Sequence, residues 1–240
     1  MVEGPRPLVS PPGKVYSTSP REALSSELGD VVLKGPDLGI VFAEASAFQF
    51  ARELGIATPD FGVCEVPGEE GLFFCSKKLR GRYPVDHWVG NGLVSNPEVI
   101  PETIAFDVWV ANWDRNIGNF VEDAEEARGE GEGEGTKIFA IDFEKAAVLR
   151  GEPDRFTING WPGSKFWPLE DLGRLCRQYA LPRGFLEKIK AIDPQHIAGV
   201  LEQIQLDLDL AAVPWMQTSI DLLTSRAQGI EKLATEAWDE

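Results

Sequence analysis

Residues 106–123 read FDVWVANWDRNIGNFVED, and residues 137–145 read KIFAIDFEK. These two stretches decide the fold. In the first, an apolar run of helical character ends at a loop on which Asp114 and Asn119 stand five residues apart. In the second, a short apolar run from Ile138 to Ile141 has strand character and ends on Asp142. A strand that terminates on an acid, beside a loop carrying an acid and an amide, gathers the hard oxygen ligands that a divalent cation takes. Gly118, between the two loop residues, is expected to let the backbone turn sharply.

Working outward, the segment EDAEEARGEGEGEGT, Glu122 to Thr136, is acidic and low in complexity. It reads as a mobile hairpin tip that projects away from the site. Across it, a strand over 137–142 is expected to pair with 119–122. Upstream, 101–113 reads as a helix with Pro101 in its first turn and Ile104, Val108 and Ala111 on one side. Asp107 lies on that helix, as either a surface acid or a brace for the loop. Trp109 and Trp113 read as core.

Farther upstream, residues 1–14 are proline-rich and extended. KVYSTSPR (14–21) and DVVLK (30–34) suggest two short strands of a hairpin. IVFAEASAFQFARELG (40–55) has Ala43, Ala47, Phe50 and Leu54 at helical spacing, with Gly55 placed as a C-cap and Ile56 packing behind it. FGVCEV (61–66) and LFFCSKKL (72–79) read as an antiparallel pair joined by the turn PGEEG. Downstream, the patterns predict helices over 168–179, 182–192, 194–208 and 214–238. The whole is an α+β chain in two lobes. Residues 1–80 form a small antiparallel sheet carrying one helix, and 81–240 form a mainly helical lobe that holds the loop and the strand-end acid.

With 240 residues, 43% hydrophobic and 26% charged, the chain has the composition of a globular protein. It shows neither a contiguous apolar leader nor a run long enough to span a membrane. Its three cysteines, Cys64, Cys75 and Cys176, fit no zinc or disulfide framework and point to a cytoplasmic protein. The net charge of −16 argues against nonspecific nucleic-acid binding, which draws on Lys and Arg. A local basic patch remains at Lys77, Lys78, Arg80 and Arg82. His87 and His196 are isolated and read as structural.

Phosphoryl transfer asks a protein for positioning and charge neutralisation. Asp142 and the side-chain oxygen of Asn119 suit Mg²⁺, and Asp114 suits an acceptor hydroxyl whose proton must leave. The pairing of Asp114-Arg115-x-x-x-Asn119 with Ile141-Asp142-Phe143 resembles the D-R-x-x-x-N and I-D-F motifs of phosphatidylinositol kinases. As a unit, N-W-D-R-N-I-G-N is closer to the loop of short, stand-alone HipA-like kinases, and Ala51 to Pro59 resembles that family's helix end. The resemblance covers residues 15–150 and implies a protein-kinase-like fold. It also implies an ATP- and Mg²⁺-dependent transfer to a serine or threonine of a protein substrate.

By the same resemblance, Lys34 contacts the phosphates and pairs with Glu44. Ser17, Thr18 and Ser19 replace a glycine-rich phosphate loop. Asn119 and Asp142 hold the metal. The stretch 77–82, with Lys77 and Leu79, reads either as following the hinge that joins the lobes and meets adenine or as a plain solvated basic turn. A separate antitoxin or regulatory partner is also implied. Two features depart from the pattern: Asn116 stands where the family often has histidine, and Glu144 where protein kinases have the glycine after Asp-Phe. Lys14 competes with Lys34 for the phosphate role. A pseudokinase, a nucleotide-binding interaction module, and a kinase or AMP transferase acting on a small molecule or lipid are the competing readings.

Overall fold

The computed structural model describes residues 8–10, 21–25, 28–79, 81, 94–123, 136–151 and 179–239. Five strands form one sheet: β1 (Leu8–Ser10), β2 (Arg21–Ser25), β3 (Gly29–Lys34), β4 (Phe61–Glu65) and β5 (Leu72–Lys77). Their order is β1-β2-β3-β5-β4, and neighbours run antiparallel. The partner of β3 in the first hairpin is Arg21–Ser25 rather than 14–21, with Arg21 opposite Leu33 and Ser25 opposite Gly29. Nothing in REALS is β-branched or aromatic. Its extended state comes from pairing with β3, an override of local preference by tertiary context.

The period of two along β3 buries Val31 and Leu33 on one face. It turns Lys34 to the other face, where α1 (Leu38–Leu54) lies. Gly35 then reverses the chain at φ 134°, with an ideal Cβ only 2.9 Å from the Leu72 carbonyl oxygen, so the position requires glycine. Asp37 caps α1, its carboxylate accepting the Ile40 amide at 3.0 Å. Gly55, at φ 93°, closes the other end, and the Ile56 amide reaches back to the Ala51 carbonyl (2.9 Å). The helix thus starts two residues before the expected Ile40 and ends at its expected cap.

Burial on α1 extends well beyond the predicted stripe. Every residue from Val41 to Ala51 is buried, including Glu44, Ser46 and Gln49. The sheet covers one side. The other sides meet α2 (Val99–Val110), α3 (Arg183–Lys190) and α4 (Pro194–Asp207). Phe42, Phe48 and Phe50 each contribute about 1.5–3 kcal/mol of burial here. One apolar core runs continuously from β4 and β5 through α1 into the helices, so Glu44 sits on an element clamped from several directions.

Helix α2 begins at Val99 rather than Pro101 and stops at Val110, because Ala111 adopts a left-handed conformation (φ 55°). It is buried almost all round. The long helix α5 (Met216–Asp239) fixes its C-terminal end: the Arg226 guanidinium donates to the Val108 and Trp109 carbonyls (2.5 and 2.9 Å). In return, the Trp109 indole donates to the Leu223 carbonyl (2.9 Å). Those guanidinium bonds occupy carbonyls that the end of a helix leaves without intrahelical partners.

The second sheet is the expected hairpin of β6 (Phe120–Glu122) and β7 (Ile138–Ala140). Strand β7 is shorter than 137–142 because Asp142 leaves extended geometry at φ 64°. Glu122, Asp123 and Thr136 are buried, so the two ends of the acidic segment belong to the fold, and 124–135 lie outside the described residues. The predicted helix 168–179 and most of the loop 80–96 also lie outside them. Cys64 and Cys75 are thiols buried on adjacent strands, and Cys176 lies outside the described residues. Among the described residues no helix is long and apolar enough to cross a membrane.

Candidate functional site

Lys34, at the end of β3, meets two carboxylates. Its Nζ lies 2.5 Å from Glu44 Oε1 and 2.5 Å from Asp142 Oδ1. Glu44 is wholly buried, and Lys34 is only 12% exposed. The Phe143 amide also donates to Glu44 Oε1 (3.1 Å). Phe143 is pinned edge-on between Phe48 and Phe106, at centroid distances of 5.3 and 5.4 Å. Burial of that ring fixes the backbone that aims Asp142 at Lys34. Asp142, 31% exposed, is the end of this chain of contacts that reaches solvent.

The loop after α2 is held from below. Arg115, 1% exposed, pairs with the fully buried Asp107 through two bonds: Nε to Oδ2 at 2.6 Å, and a terminal nitrogen to Oδ1 at 3.0 Å. Its other terminal nitrogen donates to the Ile141 carbonyl, and the guanidinium lies over the Phe143 ring at 4.5 Å. Asn112 adds a bond to Asp107 Oδ1 (2.8 Å). The Ala147 amide donates to the Ala111 carbonyl (3.2 Å). The loop and the Asp142 turn are therefore one hydrogen-bonded unit. Asp107 is its brace and not a surface acid.

Asn116 and Asn119 close a single 3₁₀ turn, Ile117–Asn119, as a capping box. The Asn116 oxygen accepts the Gly118 amide (2.9 Å), and the Asn119 oxygen accepts the Asn116 amide (2.8 Å). Asn119 Nδ2 donates to Asp142 Oδ2 (3.0 Å). Placing its oxygen on a cation thus requires Asn119 to turn its amide over. Gly118 lies in the sharp turn that was expected and makes it without a positive φ. A Cβ there would stand 3.0 Å from Asn116 Oδ1, tight against the side chain that accepts the Gly118 amide.

The charges do not act alike. Burial works to lower the Lys34 ammonium, but Glu44 and Asp142 overcome it and hold it above its ordinary range. Burial pushes the Glu44 carboxyl up against the pull of Lys34 and the Phe143 amide, with Asp142 adding repulsion. Both therefore lie above their ordinary values, Lys34 because two carboxylates outweigh burial and Glu44 because burial outweighs the ammonium it shares with Asp142. For Asp142, burial is outweighed by Lys34 and Arg115, and its carboxyl lies below the usual range. Burial and the neighbouring Asp142 raise the half-buried Asp114, with Lys145 opposing.

Sequence reasoning passed over Glu144. Its Oε2 lies 3.6 Å from Lys34 Nζ, and its Oε1 lies 3.1 Å from Lys145 Nζ. One oxygen each of Glu44, Asp142 and Glu144 fall within 4.8 Å of one another. The signal was its place two residues after Asp142, which had been read only as a departure from glycine.

Other candidates stand elsewhere. Lys77 pairs with Asp123 (3.5 Å) and Lys78 with Glu22 (2.6 Å), so acids engage these two members of the basic patch. Leu79 follows β5, half-buried. Ser17, Thr18, Ser19, Lys14 and His87 lie outside the described residues. His196, on α4, faces Glu53 of α1 (2.7 Å).

Among solved structures, the chain is similar to the crystal structure of a Helicobacter pylori proinflammatory kinase, CtkA, with a TM-score of 0.55. The superposition covers 97% of this chain and 95% of that one. The chain has a kinase-like α+β fold. At 12% identity the likeness concerns the fold alone. No family model matches the sequence, and no curated protein matches it.

Proposed function

We propose that the chain is an ATP- and Mg²⁺-dependent phosphotransferase, a HipA-like kinase that phosphorylates serine or threonine on a protein. One observation carries this reading. Lys34 from β3, Glu44 from α1, Asn119 from the loop and Asp142 from the strand end converge in one connected set of contacts. A fold-level likeness to a kinase supports the same reaction class.

The donor set fits a hard divalent cation, because Asp142 is held ionised and partly open to solvent. When bound, Mg²⁺ would supply charge neutralisation to the phosphates of ATP, with Asp142 and Asn119 as its ligands. Lys34, kept cationic, is placed to bind phosphate oxygens, and Glu44 orients it. Asp114 receives the proton of the acceptor hydroxyl as that oxygen bonds to the γ-phosphorus and the bond to the ADP oxygen breaks. Ser17, Thr18 and Ser19 are assigned to the phosphates, and Lys77 and Leu79 to the adenine side of a cleft between residues 1–80 and 81–240. A protein substrate and a separate regulatory partner complete the proposal, in a cytoplasmic setting.

The test is product identity: after incubation with ATP, Mg²⁺ and candidate substrate proteins, intact mass should rise by one phosphoryl group. A gain of one AMP would replace kinase with nucleotidyl transfer. Asp114→Asn should abolish the gain. The pH profile follows from Asp114, which must be ionised to act. Activity is therefore lost as pH falls through its raised pKa, above the range of a free aspartate. Lys145→Gln removes a charge that opposes the rise, so its acid limb should move to higher pH. An unmoved limb would remove Asp114 from the proton-accepting role.

A further inference from the structure

Six ionisable groups crowd the site, Glu44 wholly buried among them. Two ammonium groups, Lys34 and Lys145, face the carboxylates of Glu44, Asp142, Glu144 and Asp114. The carboxylates outnumber the ammonium groups by two, and one oxygen each of Glu44, Asp142 and Glu144 lie within 4.8 Å of one another. A second observation is independent of that count. Glu44 Oε2 is fully buried and has no hydrogen-bond partner among the described residues, although Oε1 of the same group takes both Lys34 and the Phe143 amide. An orphaned carboxylate oxygen in a buried position is costly, and Glu44 brings one of its oxygens within 4.8 Å of oxygens of Asp142 and Glu144.

Glu144 stands at the mouth of this cluster. It is one-quarter exposed, and its oxygens point toward Lys34 and Lys145. The left-handed turn at Asp142 brings residues 142 and 144 to the same side, which an extended strand would also do, while Phe143 between them is driven into the core. The residue between two ligands is thus the anchor for both.

We infer that Glu144 is a ligand of the site's divalent cation, joining Asp142 so that two carboxylates hold the metal. This inference rests on the proposed cation-dependent phosphotransferase reading and adds to it a ligand of this chain's own. A second carboxylate raises the negative charge that a hard cation meets, and ligand charge is what sets affinity at oxygen sites. Lys145 then has a defined part. It offsets Glu144 while the metal is absent and remains beside Asp114 when Glu144 turns to the cation.

The test measures metal and not turnover. Wild type, Glu144→Gln, Glu144→Asp and Asp142→Asn are titrated with Mn²⁺ in the presence of a non-hydrolysable ATP analogue, and the free Mn²⁺ is read by electron paramagnetic resonance. Thermal melting without metal checks that each variant folds. Glu144→Gln is expected to weaken Mn²⁺ binding by about tenfold or more, the scale seen when groups around a metal are removed, with Glu144→Asp recovering part of it. If Asp142→Asn weakens binding and Glu144→Gln leaves it unchanged, Glu144 is only an ion partner of the two lysines. The inference then fails while the wider reading stands. If wild type itself takes up no Mn²⁺ with the analogue, both fail.

Discussion

Lys34→Met is expected to lower phosphoryl transfer by about 10²–10³-fold, the usual loss when one preorganised charge is removed from a transition state. It is also expected to destabilise the fold. Glu44 is fully buried, and Lys34 is the cation on it. Deleting one partner of a buried pair costs about 3–5 kcal/mol, because the other charge is left uncompensated. Glu44 escapes part of that cost by taking up a proton, a direction in which burial already pushes it. The double variant Lys34→Met with Glu44→Gln should therefore recover stability and not transfer. Denaturant melts beside phosphate-transfer assays measure both. Full transfer in Lys34→Met would remove the lysine from the chemistry.

The second large effect lies beneath the site. Asp107→Ala leaves Arg115 buried without its carboxylate, and the loss is again about 3–5 kcal/mol. For a chain of this size that corresponds to a fall in Tm of about 6–20 °C. Asp107→Leu with Arg115→Met replaces the pair by apolar groups and should regain much of the stability, as buried ion pairs often allow. Activity should stay low in that variant. The Arg115 bond to the Ile141 carbonyl and its seat over Phe143 are gone, so Asp142 is no longer held against the loop. Recovery of both stability and transfer would show that the pair does not position Asp142.

How much of this was visible beforehand depends on the kind of signal. Helix α1 could be read because apolar spacing and a C-cap glycine agree, and β4 with β5 because a turn sequence separates two β-rich runs. Strand β2 could not, since REALS has no strand preference of its own and is extended by pairing with β3. The limits of α2 were misread because a helix buried all round presents no polar face to mark its ends.

At the site, Lys34 and Glu44 could be singled out as residue types on a strand and a helix. Asp107 could be read as a candidate brace for the loop, but its pairing with Arg115 could not, because the left-handed break at Ala111 folds two residues eight apart onto each other. Glu144 was noticed only for what it was not. The orientation of Asn119 depends on a bond from the Asn116 amide, a detail of backbone geometry that spacing does not encode.

Lys34, Asn119 and Asp142 are proposed to form a metal–nucleotide site. The most direct measurement is the melting temperature of wild type and Asp142→Asn with ATP alone, Mg²⁺ alone and both together. Ligand that binds only the folded state must raise the melting temperature. A rise is expected with ATP and Mg²⁺ together in wild type, and its loss in Asp142→Asn. No rise in wild type, or an equal rise in both proteins, would contradict it.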